Sequence, residues 1–481
     1  MRQLLCLILL SLPAAAIESI PTSRDALDGA AAPVQVPIRY TTLPNGLRVV
    51  ISEDHSAPVV TVAVYYRIGF RLEPRGRTGF AHLFEHMMFQ GSENVPKPQH
   101  VRLVNAYGGV LNGSTNFDYT NYFETMPSNA LELALWLEAD RMRALKVTAE
   151  NLKNQQEVVK EEVRVNVLNQ PYGGFDWIDL PEKAFQKWEN AHNFYGDFHD
   201  LDAATVEDAQ KFFRTYYSPA NAALVISGDV ETRRALALAT KYFASIPAPA
   251  APPLPDVDEP PQSAEKRLSQ EDTLATTPAL AAGYRMPPHN SRTELAALSV
   301  LTNLLVEGEG SRLYQKLVKE KQLATSVSTS ILGSLYEFLG PTLYTVRVDY
   351  KPGGKAEEIL KVMDEQIQDL ARHGPTAQEV ERARTKLRAQ WLAALDTTSV
   401  FGAGLQGRPH YLAVFALFNN DPGVINRIAG EIAVVTPEQV QAVARQYLDP
   451  GKRTMIDRRP APAPRPASFA ATGPKAAKGA K

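Results

Sequence analysis

The hydrophobic pattern of the chain alternates between runs of strand character and runs of helix character. VVTVAVYYRIG at 59–69 is a short apolar run rich in valine and tyrosine, which predicts a buried strand, and the stretch around HLFEHMMF after it predicts a helix. ANAALVISGDV at 220–230 predicts a second buried strand that enters a turn. ALELALWLEADRMRAL at 130–145 repeats leucine at helical spacing, and another helix is predicted from about 149 to 168. This mixture predicts an α+β fold with a mostly antiparallel sheet packed with helices.

A similar order of elements occurs twice along the chain. In the second half, TPALAAGYRMP at 277–287 has strand character, and ELAALSVLTNLL at 294–305 follows it with helix character. The strand, loop and helix stand at similar offsets in both halves, although few residues are identical. The pattern therefore predicts two homologous halves.

Proline-rich composition separates these halves. PAPAAPPLPDVDEPP at 247–261 has seven prolines in fifteen positions, which predicts a semi-rigid spacer. The end of the chain from position 457 lacks apolar periodicity and is expected to be a disordered tail. The expected segments are an N-terminal domain at 36–246, a linker at 247–266, a C-terminal domain at 267–456 and a tail at 457–481.

The first sixteen residues, MRQLLCLILLSLPAAA, have the layout of a secretory signal. Arg2 precedes an apolar run too short to span a bilayer, and small residues follow it. The alternative is an uncleaved anchor. A signal at 1–16 predicts an exported protein, most simply a periplasmic one without a stable membrane span. Because Cys6 is the only cysteine, the mature chain is expected to use neither disulfides nor thiolate chemistry.

Composition narrows the function classes further. The 481 residues are 44% hydrophobic and 22% charged, with a net charge of −2. These values are typical of a globular protein large enough for two substantial domains. The chain has no excess of basic residues, so its charge gives no indication of nucleic-acid binding.

His82, Glu85 and His86 are the first candidates for chemistry. On a helix, His82 and His86 share one face and Glu85 flanks it, so two imidazoles and a carboxylate are available to one zinc ion. The competing interpretation is three solvated surface residues. Leu83, Phe84, Met87, Met88 and Phe89 surround them, however, and a helix this apolar buries most of its faces. A metal would supply the partner that buried polar groups need.

The run RIGFRLEPRGRTGFAHLFEHMMFQGSENVP at 67–96 resembles the inverted-motif zinc peptidases of the pitrilysin, insulinase and mitochondrial processing peptidase family. The resemblance continues through GGVLNGSTNFDYTNYF, LELALWLEADRM, QQEVVKEEV, FYGDFHDLDAATVEDAQKFF and ANAALVISGDV, and it is weaker in the second half. It implies a clamshell in which two similar halves enclose the active site.

The resemblance also implies roles for individual residues. His82 and His86 match the two zinc-binding histidines, and Glu85 matches the carboxylate that activates the metal-bound water. The third ligand falls on Glu162, 76 residues beyond the second histidine. From the residues themselves, Glu162 shares an apolar helix face with Val158, Val159 and Val165, where a carboxylate needs a cation, whereas Glu157 and Glu161 form a pair suited to water. Glu161 remains the alternative third ligand.

Substrate binding is expected at LNGSTN. The resemblance places Asn112 and Gly113 close to the zinc on an edge strand, where an extended peptide would pair by strand addition. Taken alone, Asn112-Gly113 is more typical of a plain hairpin turn, which stays the alternative.

Two departures from the family pattern affect the expected partners. Seven residues before the third ligand, many members have a glutamate where this chain has Gln155. In the second half, Val318 and Thr325 stand where active members often have an arginine and a tyrosine that hold the substrate carbonyl. A homologous partner chain is therefore expected to supply that pair in a heterodimer. The alternative is a homodimer or monomer that orients its substrate with other residues.

The expected function is that of a zinc endopeptidase cleaving peptides or unfolded segments, with one Zn²⁺ per chain and Glu85 as the base. The alternative is a scaffold or binding subunit that keeps the fold without hydrolysis.

Overall fold

The computed structural model describes residues 34–331, 335–396 and 405–462. The expected signal at 1–16 lies outside the described residues, as does most of the expected tail. Within the described parts of the chain, no helix is long and apolar enough to cross a membrane.

Strands and helices alternate through both halves of the chain. The strands of the first half are β1 Arg39–Thr42, β2 Arg48–Glu53, β3 Val59–Tyr66, β4 Val110–Thr115, β5 Thr120–Pro127 and β6 Ala222–Gly228. Its helices are α1 Phe80–Met87, α2 Gln99–Ala106, α3 Leu131–Arg143, α4 Ala149–Val163, α5 Leu180–Ala184, α6 Trp188–Ala191, α7 Phe198–Asp202, α8 Val206–Tyr216 and α9 Thr232–Phe243.

The second half repeats this mixture of elements. Its strands are β7 Lys266–Asp272, β8 Ala279–Arg285, β9 Ala324–Ile331, β10 Leu343–Tyr350 and β11 Thr454–Pro460. Its helices are α10 Arg292–Leu305, α11 Ala356–His373, α12 Ala377–Asp396, α13 Arg408–Phe418, α14 Ile428–Ala433 and α15 Pro437–Tyr447.

The two sheets have the same topology. The first has the order β1-β2-β6-β3-β5-β4 and the second β7-β11-β8-β10-β9. In each sheet one parallel pair, β2 with β6 or β7 with β11, is followed by antiparallel pairs only. Apart from the extra β1, every strand of one sheet has a counterpart in the other. The prediction of an α+β fold with two similar, mostly antiparallel halves is confirmed.

Strand β3 shows why its sequence is apolar without alternation. Val62 and Val64 face a core shared with α1 and α3, whereas Ala63 and Tyr65 face a core shared with the helices of the second half. Because successive side chains point to opposite faces, a strand covered on both sides needs apolar residues throughout. The two halves are therefore packed against each other through the first sheet.

Two predicted segment boundaries differ from the structure. The proline-rich segment has no helix or strand, but β7 begins at Lys266, inside the expected linker. Strand β11 continues to Pro460, so the expected start of the tail at Asp457 is wrong. The end of this strand was missed because its residues are polar and charged. In the structure these residues have partners: the hydroxyl of Tyr350 donates to Asp457 at 2.5 Å, and Arg458 forms an ion pair with Asp179. These partners allow charged residues to lie inside a sheet.

Candidate metal centre

Helix α1, which carries both histidines of the motif, is held at its N-terminus by a buried carboxylate. Glu73 accepts hydrogen bonds from the backbone N–H groups of Gly79 at 2.8 Å and Ala81 at 2.6 Å. Burial raises the pKa of Glu73. Gly79 has a φ of 82°, which favours glycine, and this residue leads the chain into the helix. At the other end, the hydroxyl of Tyr122 donates to the carbonyl of Phe84 at 2.9 Å.

Helix α4 brings the third candidate ligand. Thr148 caps its N-terminus, and Glu162 stands in its last turn with a side chain that is 34% exposed. The apolar face used to select Glu162 from the sequence is not a buried face: Val159 is buried, but Val158 and Val165 are 42% and 48% exposed. The structure therefore contradicts the apolar-face argument for Glu162.

The structure brings His82, His86 and Glu162 together. The two Nε2 atoms are 3.3 Å apart, and the carboxylate oxygens of Glu162 lie 3.5 Å from Nε2 of His82 and 3.2 Å from Nε2 of His86. Ligands at normal zinc distances in a tetrahedron are about 3.3 Å from one another. The three donors therefore fit one zinc ion in type and in spacing. Hydrogen bonds from the two histidines lower the pKa of Glu162 well below its ordinary value.

The alternative ligand Glu161 points elsewhere. Its carboxylate lies 3.0 Å from the guanidinium of Arg164 and is largely exposed. Glu157 pairs with Lys153 and Lys160 in the same way. Of the three glutamates considered from the sequence, Glu162 is the one that the fold places beside the histidines.

Glu85 lies beside this group and faces strand β4. The hydroxyl of Thr115 donates to its carboxylate at 2.7 Å. A Cβ built on Gly113 would lie 3.3 Å from Cγ of Glu85, so the absence of a side chain there leaves the carboxylate room. Asn112 is exposed on the same strand, and its side-chain oxygen accepts from the N–H of Gly113 at 2.9 Å.

The position of Asn112 and Gly113 settles one alternative. Both residues lie inside β4, opposite Phe123 and Tyr122 of β5, so the hairpin-turn interpretation is wrong. Strand β4 is the edge of its sheet, as expected for a strand that pairs with a peptide.

Hydrogen-bond support behind His82 is weak. Its Nδ1 atom is buried and has no hydrogen-bond partner among the described residues. Metal-bound histidines normally donate through their second nitrogen. Gln155, at the position where many family members have a glutamate, donates instead to Asn154 at 2.7 Å.

Tyr195 is a neighbour of the centre that the sequence analysis missed. Its ring lies 5.2 Å from that of His82, edge to face, and 5.1 Å from that of Trp177. Burial, together with the charges of Glu162 and Glu85, raises its pKa to about 12. No spacing in the sequence relates Tyr195 to the motif, because only the fold brings the two segments together.

Val318 and Thr325, the positions compared with the family's arginine and tyrosine, make other contacts in the structure. Val318 packs against the core of the second half. The hydroxyl of Thr325 donates to the backbone carbonyl of Asp349 at 3.0 Å. Neither residue supplies the donors of an arginine and a tyrosine.

The other histidines lie outside this centre. His192 stacks on Trp188 at 4.1 Å, and its Nε2 is 3.8 Å from Glu73. His199 is exposed at the start of α7.

His100 belongs to a second cluster of ionisable side chains. It forms a fully buried group with Glu124 and Glu138, and its Nε2 has no hydrogen-bond partner in the described chain. The guanidinium of Arg141 pairs with Glu138. Burial and the charge of Glu138 raise the pKa of Glu124 well above its ordinary value. One proton on Glu124 makes the group neutral, whereas a divalent cation would leave a buried positive charge, so we interpret the group as a proton-sharing pair.

Comparison with known proteins gives the context of the centre. A family model described as "Insulinase (Peptidase family M16)" matches residues 48–175, which include the three metal-site candidates and Glu85. A second, described as "Peptidase M16 inactive domain", matches residues 203–387. The zinc protease PqqE of Helicobacter pylori is 28% identical over 74% of this chain and 80% of its own length. An uncharacterized zinc protease of Streptomyces coelicolor is 25% identical over 87% of this chain and 88% of its own.

Solved structures agree with these matches. A protease from Helicobacter pylori superposes with a TM-score of 0.80 and 25% identity, covering 88% of this chain and all of that chain. The periplasmic protease PqqL of Escherichia coli has the same fold at a TM-score of 0.70 and 17% identity; the match covers 89% of this chain but 48% of PqqL. Because models of one family match both halves, the chain belongs to the M16 family of insulinase and pitrilysin-like peptidases.

Proposed function

We propose that this protein is a zinc-dependent endopeptidase with one Zn²⁺ per chain, held by His82, His86 and Glu162. The observation that carries the proposal is the spacing of the donor atoms of these three residues, 3.2 to 3.5 Å, beside the carboxylate of Glu85. The names of the relatives, zinc proteases, support the same metal.

Glu85 is the general base of the proposed reaction. Bound zinc would polarise the scissile carbonyl and lower the pKa of water. Glu85 takes the proton of the attacking water and delivers it to the leaving amine. Thr115 holds one oxygen of Glu85 by a hydrogen bond, which leaves the other oxygen for the water.

Strand β4 is the proposed substrate platform. It is a sheet edge whose side chains include the exposed Asn112, and Gly113 borders Glu85. An extended peptide that pairs with β4 is recognised mainly through its backbone, so the proposed substrates are peptides or unfolded segments of varied sequence.

Metal content tests this ligand set. We expect wild-type protein to hold one zinc per chain and to lose peptide hydrolysis on chelation and regain it with zinc. Glu162→Gln should lose most of the metal, because two neutral imidazoles and an amide bind zinc weakly. Glu161→Gln is the matched control in the next position and should keep metal and activity. Equal zinc content in Glu162→Gln and wild type would contradict the proposal.

A scaffold or binding subunit is the second candidate, and one observation favours it: the "inactive domain" model matches residues 203–387. That segment begins after Glu162, so it leaves the metal-site candidates in the other half. A protein that binds zinc but hydrolyses no peptide would support the scaffold.

We propose a two-chain assembly in an exported, periplasmic enzyme. Val318 and Thr325 leave this chain without the arginine and tyrosine that orient the substrate, and a homologous partner would supply them. The fold spans one half of PqqL, which unites two such lengths in one chain. PqqL is described as periplasmic, which agrees with the secretory layout of the first sixteen residues.

A further inference from the structure

A cavity of about 720 Å³ lies between the loop after β4 and the helices of the second half. Its walls include four aromatic rings, those of Tyr119, Tyr336, Trp391 and Tyr411. The rings of Trp391 and Tyr411 are 4.6 Å apart, and those of Tyr336 and Trp391 are 6.5 Å apart. One acidic side chain, Glu337, opens into this aromatic enclosure, and its side chain is 12% exposed.

Two side chains hold the carboxylate of Glu337. The hydroxyl of Tyr119 donates to one oxygen at 3.0 Å, and Nε2 of His410 lies 3.0 Å from the other. Nδ1 of His410 is in turn 2.8 Å from the hydroxyl of Tyr65, so the imidazole is fixed at both of its nitrogens.

The imidazole of His410 is the basic group in contact with Glu337. Within the described residues, no lysine or arginine forms an ion pair with this carboxylate. Burial raises the pKa of Tyr119, and the nearby Glu337 raises it further. The same two causes raise the pKa of Tyr411 to about 12. A carboxylate that has no lysine or arginine partner and is surrounded by aromatic faces is an environment that attracts an organic cation through both charge and cation–π contact.

The cavity adjoins the proposed catalytic centre. Asn116 lines it and directly follows Thr115, whose hydroxyl donates to Glu85. The N–H of Asn116 donates to the carbonyl of Tyr119, another wall residue, at 2.8 Å. Strand β4 and the turn after it thus border both the catalytic base and the cavity, so a peptide paired with β4 would pass close to both.

We propose that this cavity, the Glu337 pocket, binds the lysine or arginine side chain of a peptide substrate. The inference rests on the proposed peptidase function, since strand addition on β4 delivers the side chain to the pocket. The pocket would make the enzyme selective for one basic side chain of the peptide, whereas the proposed contacts with β4 recognise the peptide backbone.

Matched peptides test the pocket without relying on catalysis. The peptides are acetylated and amidated, so that no terminal charge competes, and differ at one position in having lysine, arginine, norleucine or citrulline. Their binding to metal-free protein is measured by fluorescence anisotropy. We expect lysine at one position to bind about tenfold more tightly than norleucine, and arginine to exceed citrulline similarly.

Glu337→Gln should reduce these ratios to about one and leave the affinity for the norleucine peptide unchanged. Glu337→Asp, which keeps the charge, should retain a preference for lysine and so separates loss of charge from loss of fold. Glu358→Gln changes the same charge at an exposed site of the second half and should keep the wild-type ratios. Equal binding of lysine and norleucine at every position, or an undiminished ratio in Glu337→Gln, would overturn the pocket.

Hydrolysis of the same peptides by zinc-loaded protein separates this inference from the function on which it rests. A Glu337-dependent ratio in binding, with no hydrolysis of any peptide, would sustain the pocket and overturn the peptidase. Hydrolysis of all the peptides at equal rates, with equal binding, would sustain the peptidase and overturn the pocket.

Discussion

At the scale of single residues, the candidate centre depends on side chains that hold the proposed reactive groups in place. Glu73 fixes the start of α1, and Thr115 fixes Glu85. Gly113 contributes by having no side chain, because a Cβ would crowd Cγ of Glu85 and Cδ1 of Tyr122. These residues lie outside the motif in sequence and next to α1 in space.

Thr115→Val removes the hydroxyl that donates to Glu85 and keeps the shape of the side chain. A hydrogen bond to a charged group contributes about 1.5 to 3 kcal/mol, so we expect kcat/KM for a model peptide to fall about tenfold or more. Zinc content should stay at the wild-type level. Thr115→Ser retains the donor and serves as the control; equal activity of the valine and wild-type proteins would show that Thr115 does not orient the base.

The sequence was sufficient to predict site residues that lie close together in one helix. It was insufficient to predict residues from separate segments that meet only when the chain folds. His82, Glu85 and His86 lie within one helix, so helical periodicity alone predicts their proximity. Tyr195 and Glu337 are brought to their sites by separate segments, and no local pattern marks them. Glu162 was selected correctly as a neighbour of the histidines, although the apolar face used in its support is exposed at Val158 and Val165.

At the scale of elements, α3, β5 and α2 enclose the buried group of Glu138, Glu124 and His100. Helix α3 was predicted here from the helical spacing of its leucines, but the polar contacts between the three elements were not predictable, because each element contributes one residue. The pKa of Glu124 is raised by burial first and by Glu138 second, whereas burial lowers that of His100. The group therefore makes stability depend on pH.

Glu124→Gln tests the shared proton. Since the folded pKa of Glu124 lies above the unfolded value of 4.5, its contribution is present below pH 4.5 and is lost as pH rises toward and through the folded pKa. Above pH 4.5 and below the folded pKa, wild-type stability should fall relative to the variant by up to about 1.4 kcal/mol per pH unit. Urea denaturation of metal-free protein measures this difference, to which His100 contributes equally in both proteins. Glu150→Gln, at an exposed site, should keep the wild-type slope, and an identical slope in Glu124→Gln would refute the shared proton.

At the scale of the whole molecule, the two sheets share a topology, but the helices that follow their equivalent strands carry different residues. Helix α1 follows β3 and carries His82, Glu85 and His86, whereas its counterpart α10 follows β8 and is apolar along most of its length. The second half also has Val318 and Thr325 at the positions where the resemblance leads us to expect an arginine and a tyrosine. This asymmetry is the basis of the proposed division of labour between chains.

The partner proposal predicts low peptidase activity for the purified chain alone. Light scattering gives the mass of the active species, and addition of a homologous chain with the arginine and tyrosine should raise activity. The double variant Val318→Arg with Thr325→Tyr should raise kcat/KM of the lone chain about tenfold, because donors near the substrate carbonyl stabilise its developing charge. High activity from the wild-type monomer would contradict the two-chain assembly.

The central claim, that Glu85 activates water beside a metal held by three other residues, is tested most directly by Glu85→Gln. The measurement is zinc content together with peptide hydrolysis in the same preparation. We expect one zinc per chain and a loss of hydrolysis of about a thousandfold, since general-base catalysis contributes about 10² to 10⁴. Hydrolysis at the wild-type rate by the zinc-loaded variant would contradict the account.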